Sequence, residues 1–386
     1  MSPYRAPAGP HPATRKPDVR YDCALETNHE RRKGQSGSAV AMIRTRTVII
    51  VGAGASSELQ MPSGPELLSR LVQTFDFSRL GTEAQSREGL LVARHLAKLG
   101  ERTGRDANDM LAAAHRLRSA ARMGRSIDTV IDQNDHDPQV VAAGKLAIAF
   151  LVGQAETRAT LRDAPRLPGD LPLLGKPDET WLYWFGQLFT AGLPRSKLEQ
   201  AFRDVAIIAF TYDRSIEHFL PFALTMAYGM TLREAQEIVA RNLVIHHPYG
   251  VVGRLPWQQG QDAHAEWAGS DQAWNIQAIA GQIRTHAERQ ADREWVSRIR
   301  RTVAEAKRIV FLGFGYHPQN LDLLFDRTIS HNPEVLASIH GIPPSNRALL
   351  ARQLKKICGL EHDELLTLAD QKAWEVLRDN ALLLES

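Results

Sequence analysis

Four short stretches carry the residues whose types and spacing could do chemistry. An uninterrupted apolar run, Val48 to Val51, leads into Gly52-Ala53-Gly54-Ala55-Ser56, and a helix-like segment opens at Pro65. Glycines in that position let backbone N–H groups approach an anion that side chains would hold off, so the turn reads as a phosphate cradle. A second run, Arg308 to Leu312, repeats the unit with Gly313-Phe314-Gly315, and Asn320 falls near the start of the following helix. The other two stretches are polar. Thr211-Tyr212-Asp213-Arg214 follows Val205 to Phe210, and His246-His247-Pro248-Tyr249-Gly250 closes a run from Asn242 to His247. Open parallel sheets place ligands at the carboxyl ends of their strands, which is where both clusters fall.

The local signal is incomplete, because Ser57 stands where the third glycine of G-x-G-x-x-G belongs. Plain strand-to-helix turns also carry glycines, so the downstream segments must decide. Asp213 has two readings, a partner for Arg214 or a helix terminus on one side and a ligand contact on the other. Ser126-Ile127-Asp128 reads as a helix N-cap serine with an acidic first turn. Trp181, Tyr183, Trp184 and Phe185 read as core or interface.

These stretches need elements to hold them. Strand-like runs at 48–51, 205–210, 242–247, 308–312, 334–339 and near 365–368 alternate with helical periodicity, the last strand being followed by a closing helix. Helices are expected from Ser215 toward Tyr228, from Thr231, where Glu234 gives capping-box spacing, across 272–307, and from 344 to 354. Strands alternating with helices specify an α/β fold, a doubly wound parallel sheet of Rossmann-like type. From about 82 to 192 the pattern is helical only, so a helical subdomain is inserted. Residues 1–41 have almost no periodic apolar positions and read as a disordered N-terminal extension, with Met42 an alternative start; 42–386 form the domain.

The chain of 386 residues, 43% hydrophobic, can bury one sizeable core. Its net charge of +3 is spread thinly, which does not suggest direct nucleic-acid binding. Cys23 and Cys358 are the only cysteines, which excludes a four-cysteine zinc ribbon and suggests a reducing, cytoplasmic setting. No apolar run is read as long enough to span a bilayer, and no membrane partner or metal is expected.

Taken in order, GAGAS, TYDRSIEHF, HHPYG and FLGFGYHPQNLDLL resemble the sirtuin-like NAD-binding family, in particular its small prokaryotic branch of NAD hydrolases associated with antiviral defence. The resemblance spans about 42–345. It implies that Gly52, Ala53, Gly54, Ala55 and Ser56 hold dinucleotide phosphates, that Gly313, Phe314, Gly315 and Asn320 lie beside the adenosine half, and that Asp128 gains weight through its S-I-D segment. NAD would be substrate or ligand, released as nicotinamide and ADP-ribose. Two positions depart from the family. Thr211 replaces an asparagine and Tyr249 a histidine, the residues that orient the ribose or a water and act as base. A threonine hydroxyl is a thin substitute for an amide, and a phenol near pKa 10 is a poor base. His247 lies two residues before Tyr249 on an extended segment and so shares its face, which makes it a candidate substitute base. The catalytic candidates are therefore Thr211, Asp213, His247 and Tyr249. The other reading is a catalytically degenerate sensor or scaffold that binds NAD or an ADP-ribose derivative and reports to a partner protein or a second copy. Deacylation is disfavoured, because in sirtuins it goes with the zinc ribbon this chain lacks.

Overall fold

The computed structural model describes residues 43–77, 87–161, 176–269 and 274–385. The expected disorder of 1–41, and the Met42 start, lie outside the described residues.

Six strands form one sheet, and all are parallel: β1 (Thr47–Gly52), β2 (Val205–Phe210), β3 (Val244–His246), β4 (Arg308–Leu312), β5 (Glu334–Ser338) and β6 (Leu366–Ala369). Their order across the sheet is β3-β2-β1-β4-β5-β6. The fold is therefore α/β and Rossmann-like, as the alternation of strands and helices implies. The direction of strand addition reverses between β1 and β4, and that switch point is where sheets of this order open a crevice.

Side chains alternate across the sheet, and both faces are covered. Ile49, Val51, Ile207, Ala209, Val310, Leu312 and Leu336 enter one core, which continues into the inserted helices. Val48, Ile50, Ala206, Ile208, Ile309, Phe311, Val335 and Ala337 enter the other. Burial on both sides explains why these strands read as continuous apolar runs.

The chain leaves β1 through a single helical turn, α1 (Ala53–Ser56), and enters α2 (Gly64–Thr74), where Ser63 and Glu66 form a capping box. The insertion follows: α3 (Arg87–Thr103), α4 (Ala107–Ala121), α5 (Ile127–Gln133), α6 (Pro138–Glu156) and α7 (Trp181–Thr190), with no strand among its described residues. The expectation about bilayer-length runs needs correcting. The 19 residues of α6 are long and apolar enough to cross a membrane, but most of the helix is buried within this fold. It is apolar on all sides because it packs on all sides.

Beyond β2 come α8 (Ser215–Tyr228) and α9 (Leu232–Asn242), which opens with the expected Thr231/Glu234 capping box. The third strand is shorter than its apolar run, since Asn242 ends α9 and His247 is turned out of the ladder. The periodic stretch 272–307 is likewise not one helix. Within its described part it divides into α10 (Ile276–Ala280), α11 (His286–Ala291) and α12 (Arg293–Ala304), because Asn275, Thr285 and Asp292 each accept a backbone N–H and restart the chain. After β4, α13 (Pro318–Leu324) is short. Then α14 (Pro344–Cys358), α15 (Ala373–Asp379) and α16 (Ala381–Leu384) complete the described fold.

Candidate functional site

The two glycine turns interlock at the switch point. Gly54 donates its N–H to the Gly313 carbonyl at 3.0 Å. A Cβ added to Gly52 would sit 2.4 Å from that same oxygen, and one on Gly313, whose φ is +55°, would lie 2.0 Å from the Ala55 nitrogen. Only glycine permits this approach. Gly54 and Gly315 face solvent, and Ala53 and Gly313 are partly accessible, so the backbone here is within reach of a ligand. Ala55 is buried.

Ser56 and Asp213 come together although far apart in the chain. The buried Ser56 hydroxyl donates to Asp213 Oδ2 at 2.8 Å, and Asp213 Oδ1 accepts the Ser215 N–H at 3.0 Å, at the start of α8. Both groups hold the ends of β1 and β2 in register. Arg214 is not the partner of Asp213. It is fully buried, with Nη2 2.5 Å and Nε 3.0 Å from the Glu156 carboxylate and Nη1 2.6 Å from the Ala265 carbonyl. The guanidinium also lies over the rings of Trp267 and Trp274. The last turn of α6 is thereby fastened to the TYD segment, and charge pairing with full hydrogen bonding is what makes such burial tolerable.

His247 is equally committed. Its Nε2 lies 3.0 Å from Glu217 Oε1 and its Nδ1 3.3 Å from the carbonyl of Thr211. Burial disfavours the charge on each partner, but their attraction outweighs it, holding the His247 pKa above its ordinary value and that of Glu217 below. With both ring nitrogens engaged, the imidazole serves as a brace between β2, β3 and α8. Thr211 itself is buried.

Four rings meet above the strand ends. Phe210 lies 5.2 Å from Phe314 and 5.9 Å from Tyr249, and Tyr212 lies 6.4 Å from Tyr249, centroid to centroid. Tyr249 is 5% exposed and Phe314 4%, so this part of the meeting point is packed with aromatic side chains. The Tyr249 hydroxyl donates to Asn320 Oδ1 at 2.6 Å and lies 3.5 Å from His286 Nδ1. Asn320, on α13, thus meets Tyr249 across the strand ends.

Sequence reasoning gave Asp128 little weight as a site residue. Ser126 does cap α5, accepting the Thr129 N–H at 3.2 Å, but the Asp128 carboxylate turns inward and accepts the Tyr212 hydroxyl. Asp128 and Tyr212 are walled in by protein on most sides yet keep partial contact with solvent. Burial pushes the Asp128 carboxyl up, opposed by the Tyr212 bond, and pushes the Tyr212 phenol well up. Burial raises Tyr249 as well, with Asp128 and Asp132 adding to it. Asp132 is one helical turn beyond Asp128; burial pushes its carboxyl up, opposed by the backbone N–H groups of Ala287 and His286 at the opening of α11. The signal for this pair was two aspartates spaced i, i+4 in SIDTVID, which puts both on one helix face.

Among the described residues no group of three His, Cys, Asp or Glu gathers as a metal site. A hollow of about 510 Å³, lined by Arg293, Arg300, Arg301 and Asp326 among others, lies between α12 and the segment preceding β5. It shares no residue with the predicted site. No model of a known protein family matches this chain, and no curated protein matches it.

Proposed function

We propose that the chain is a sirtuin-like NAD-binding protein whose reaction is hydrolysis of NAD to nicotinamide and ADP-ribose, in an antiviral setting. The observation that carries this reading is the sheet order together with the interlocked turns. Accessible backbone at Gly54 and Gly313 flanks the switch point, where a pyrophosphate is bound in sheets of this kind. Polar side chains from α5, the β2 and β3 ends and α13 converge a short way off. Cleavage of the glycosidic bond passes through an oxocarbenium-like state, which a carboxylate in a sheltered pocket stabilises without a strong nucleophile. Asp128 is the carboxylate available for that.

Two features favour the second reading, binding without turnover. His247 is tied to Glu217 and to the Thr211 carbonyl, and the Tyr249 ring fills space that a smaller side chain would leave open. The test is nicotinamide release by purified protein with NAD, by chromatography, with any genetic partner present. The Thr211→Asn, Tyr249→His double substitution is expected to raise release at least about tenfold by restoring an amide and a base. Absence of release from both forms, with ADP-ribose bound in calorimetry, leaves the sensor reading; absence of binding ends both.

A further inference from the structure

We propose that the hollow between α12 and the segment leading to β5 is a second binding site, for a compact anion with at least three phosphate charges, such as a triphosphate. It stands apart from the candidate crevice, and the inference does not depend on the NAD-binding reading.

The charge around the hollow is almost all of one sign. Four arginines, Arg293, Arg300, Arg301 and Arg327, and one carboxylate, Asp326, line its space of about 510 Å³. A neighbouring hollow of about 460 Å³ shares Arg300, Arg301, Asp326 and Arg327 and adds Glu305, so the two form one trough along α12. Both carboxylates already have partners: Asp326 lies 3.9 Å from Arg300 Nη1, and Glu305 is paired with Arg46. Arg293, Arg301 and Arg327 are exposed and have neither an ion pair nor a side-chain hydrogen bond among the described residues. Three uncompensated cations are thus gathered at one concavity, where an anion relieves their mutual repulsion.

Arg300 is fixed in advance. Its Nη2 donates to the Asp322 carbonyl at 2.5 Å and its Nε to the Leu323 carbonyl at 3.3 Å, which ties α12 to the end of α13. The occupant follows from these features. Guanidinium forks bond phosphate oxygens in pairs, and a hollow of this volume suits a small molecule. Three free cations match three negative charges, which the pyrophosphate diester of a dinucleotide does not supply. A nucleic-acid strand needs a longer basic track than this one, whose rim carries Asp326 and Glu305 on a chain of net charge only +3. Val296 lines the hollow and belongs to the small apolar cluster of Tyr249 and Leu323, so buried side chains divide this site from the strand ends.

The experiment is calorimetry with inorganic triphosphate, without divalent metal and at about 0.1 M salt, where exposed charges still act at this range. Wild-type protein is expected to bind it with a Kd of about 100 µM or tighter, and at least about tenfold more tightly than inorganic phosphate. Arg301→Gln and Arg327→Gln should each weaken it about fivefold, and the triple variant with Arg293→Gln at least about fiftyfold. Thermal unfolding should not move, because these side chains are exposed and unpaired. ATP serves as a second probe: affinity equal to triphosphate supports a site that reads phosphates alone, and tighter binding supports one that also reads the nucleoside. A large excess of ADP-ribose should not displace triphosphate. Absence of triphosphate binding at millimolar concentration, equal affinity for single phosphate, or unchanged affinity in the triple variant overturns the inference. Displacement by ADP-ribose also overturns it, by putting the anion in the crevice. A single-stranded oligonucleotide that binds through these arginines more tightly than triphosphate overturns the compact occupant in favour of a nucleic acid.

Discussion

Replacing Gly313 with alanine perturbs the switch point most directly. The new Cβ would lie 2.0 Å from the Ala55 nitrogen and 2.5 Å from the Gly54 carbonyl carbon, where about 3.0 Å is the closest approach real side chains make. Both neighbours are backbone, so one turn must retreat from the other by about 1 Å. Three costs add. Alanine at φ +55° carries left-handed strain of about 1 kcal/mol, the Gly54 to Gly313 hydrogen bond is worth about 1 kcal/mol, and displacement of two packed turns brings the total to about 3 kcal/mol. Gly315→Ala is the control, because its Cβ would touch only the exposed His317 ring at 3.1 Å, which can swing away, for a cost below about 0.5 kcal/mol. Urea unfolding followed by tryptophan fluorescence measures both, and ADP-ribose affinity should fall with Gly313→Ala and hold with Gly315→Ala. Equal losses in the two variants would refute the interlock.

Glu156→Gln leaves the Arg214 cation buried without its counter-charge and should cost about 3–5 kcal/mol; the double variant Glu156→Leu, Arg214→Met should cost less than that single one, and a denaturation cycle in which the double is worse removes the argument. The His247–Glu217 pair sets a pH window. The raised histidine stabilises the fold fully below its ordinary 6.5 and loses that as pH rises through its folded value, whereas the lowered glutamate contributes above 4.5 and loses that as pH falls. The stability deficit of His247→Gln, from urea midpoints across pH, should therefore be greatest between 4.5 and 6.5 and shrink above 7; a flat deficit counts against the pairing.

Much of the architecture was legible because local rules and tertiary packing agree. Runs such as VIIV and VAIIAF are strands in a sheet covered on both faces, and nothing else explains them so simply. The order of those strands was not legible, since it depends on which pairs meet. The site divides the same way. Glycine turns announce themselves by composition, but the bond from Tyr212 to Asp128 joins residues 84 apart and the clasp of Arg214 on Glu156 residues 58 apart. Adjacency misled at Arg214, where Asp213 stood next in the chain and Glu156 stood next in space. His247 shows a further limit: alternation on an extended segment puts it on the face of Tyr249 only if the strand continues, and β3 stops at His246.

Glu58, just past the first glycine turn, accepts the Trp181 N–H at 2.9 Å and the Trp374 N–H at 3.3 Å, so one carboxylate joins the openings of α7 and α15. Burial lifts its pKa to about 7. The second of these bonds closes a separation of 316 residues. The loop that follows the first glycine turn is therefore tied to a helix made much later in the chain, and its closure is a contact of high sequence separation.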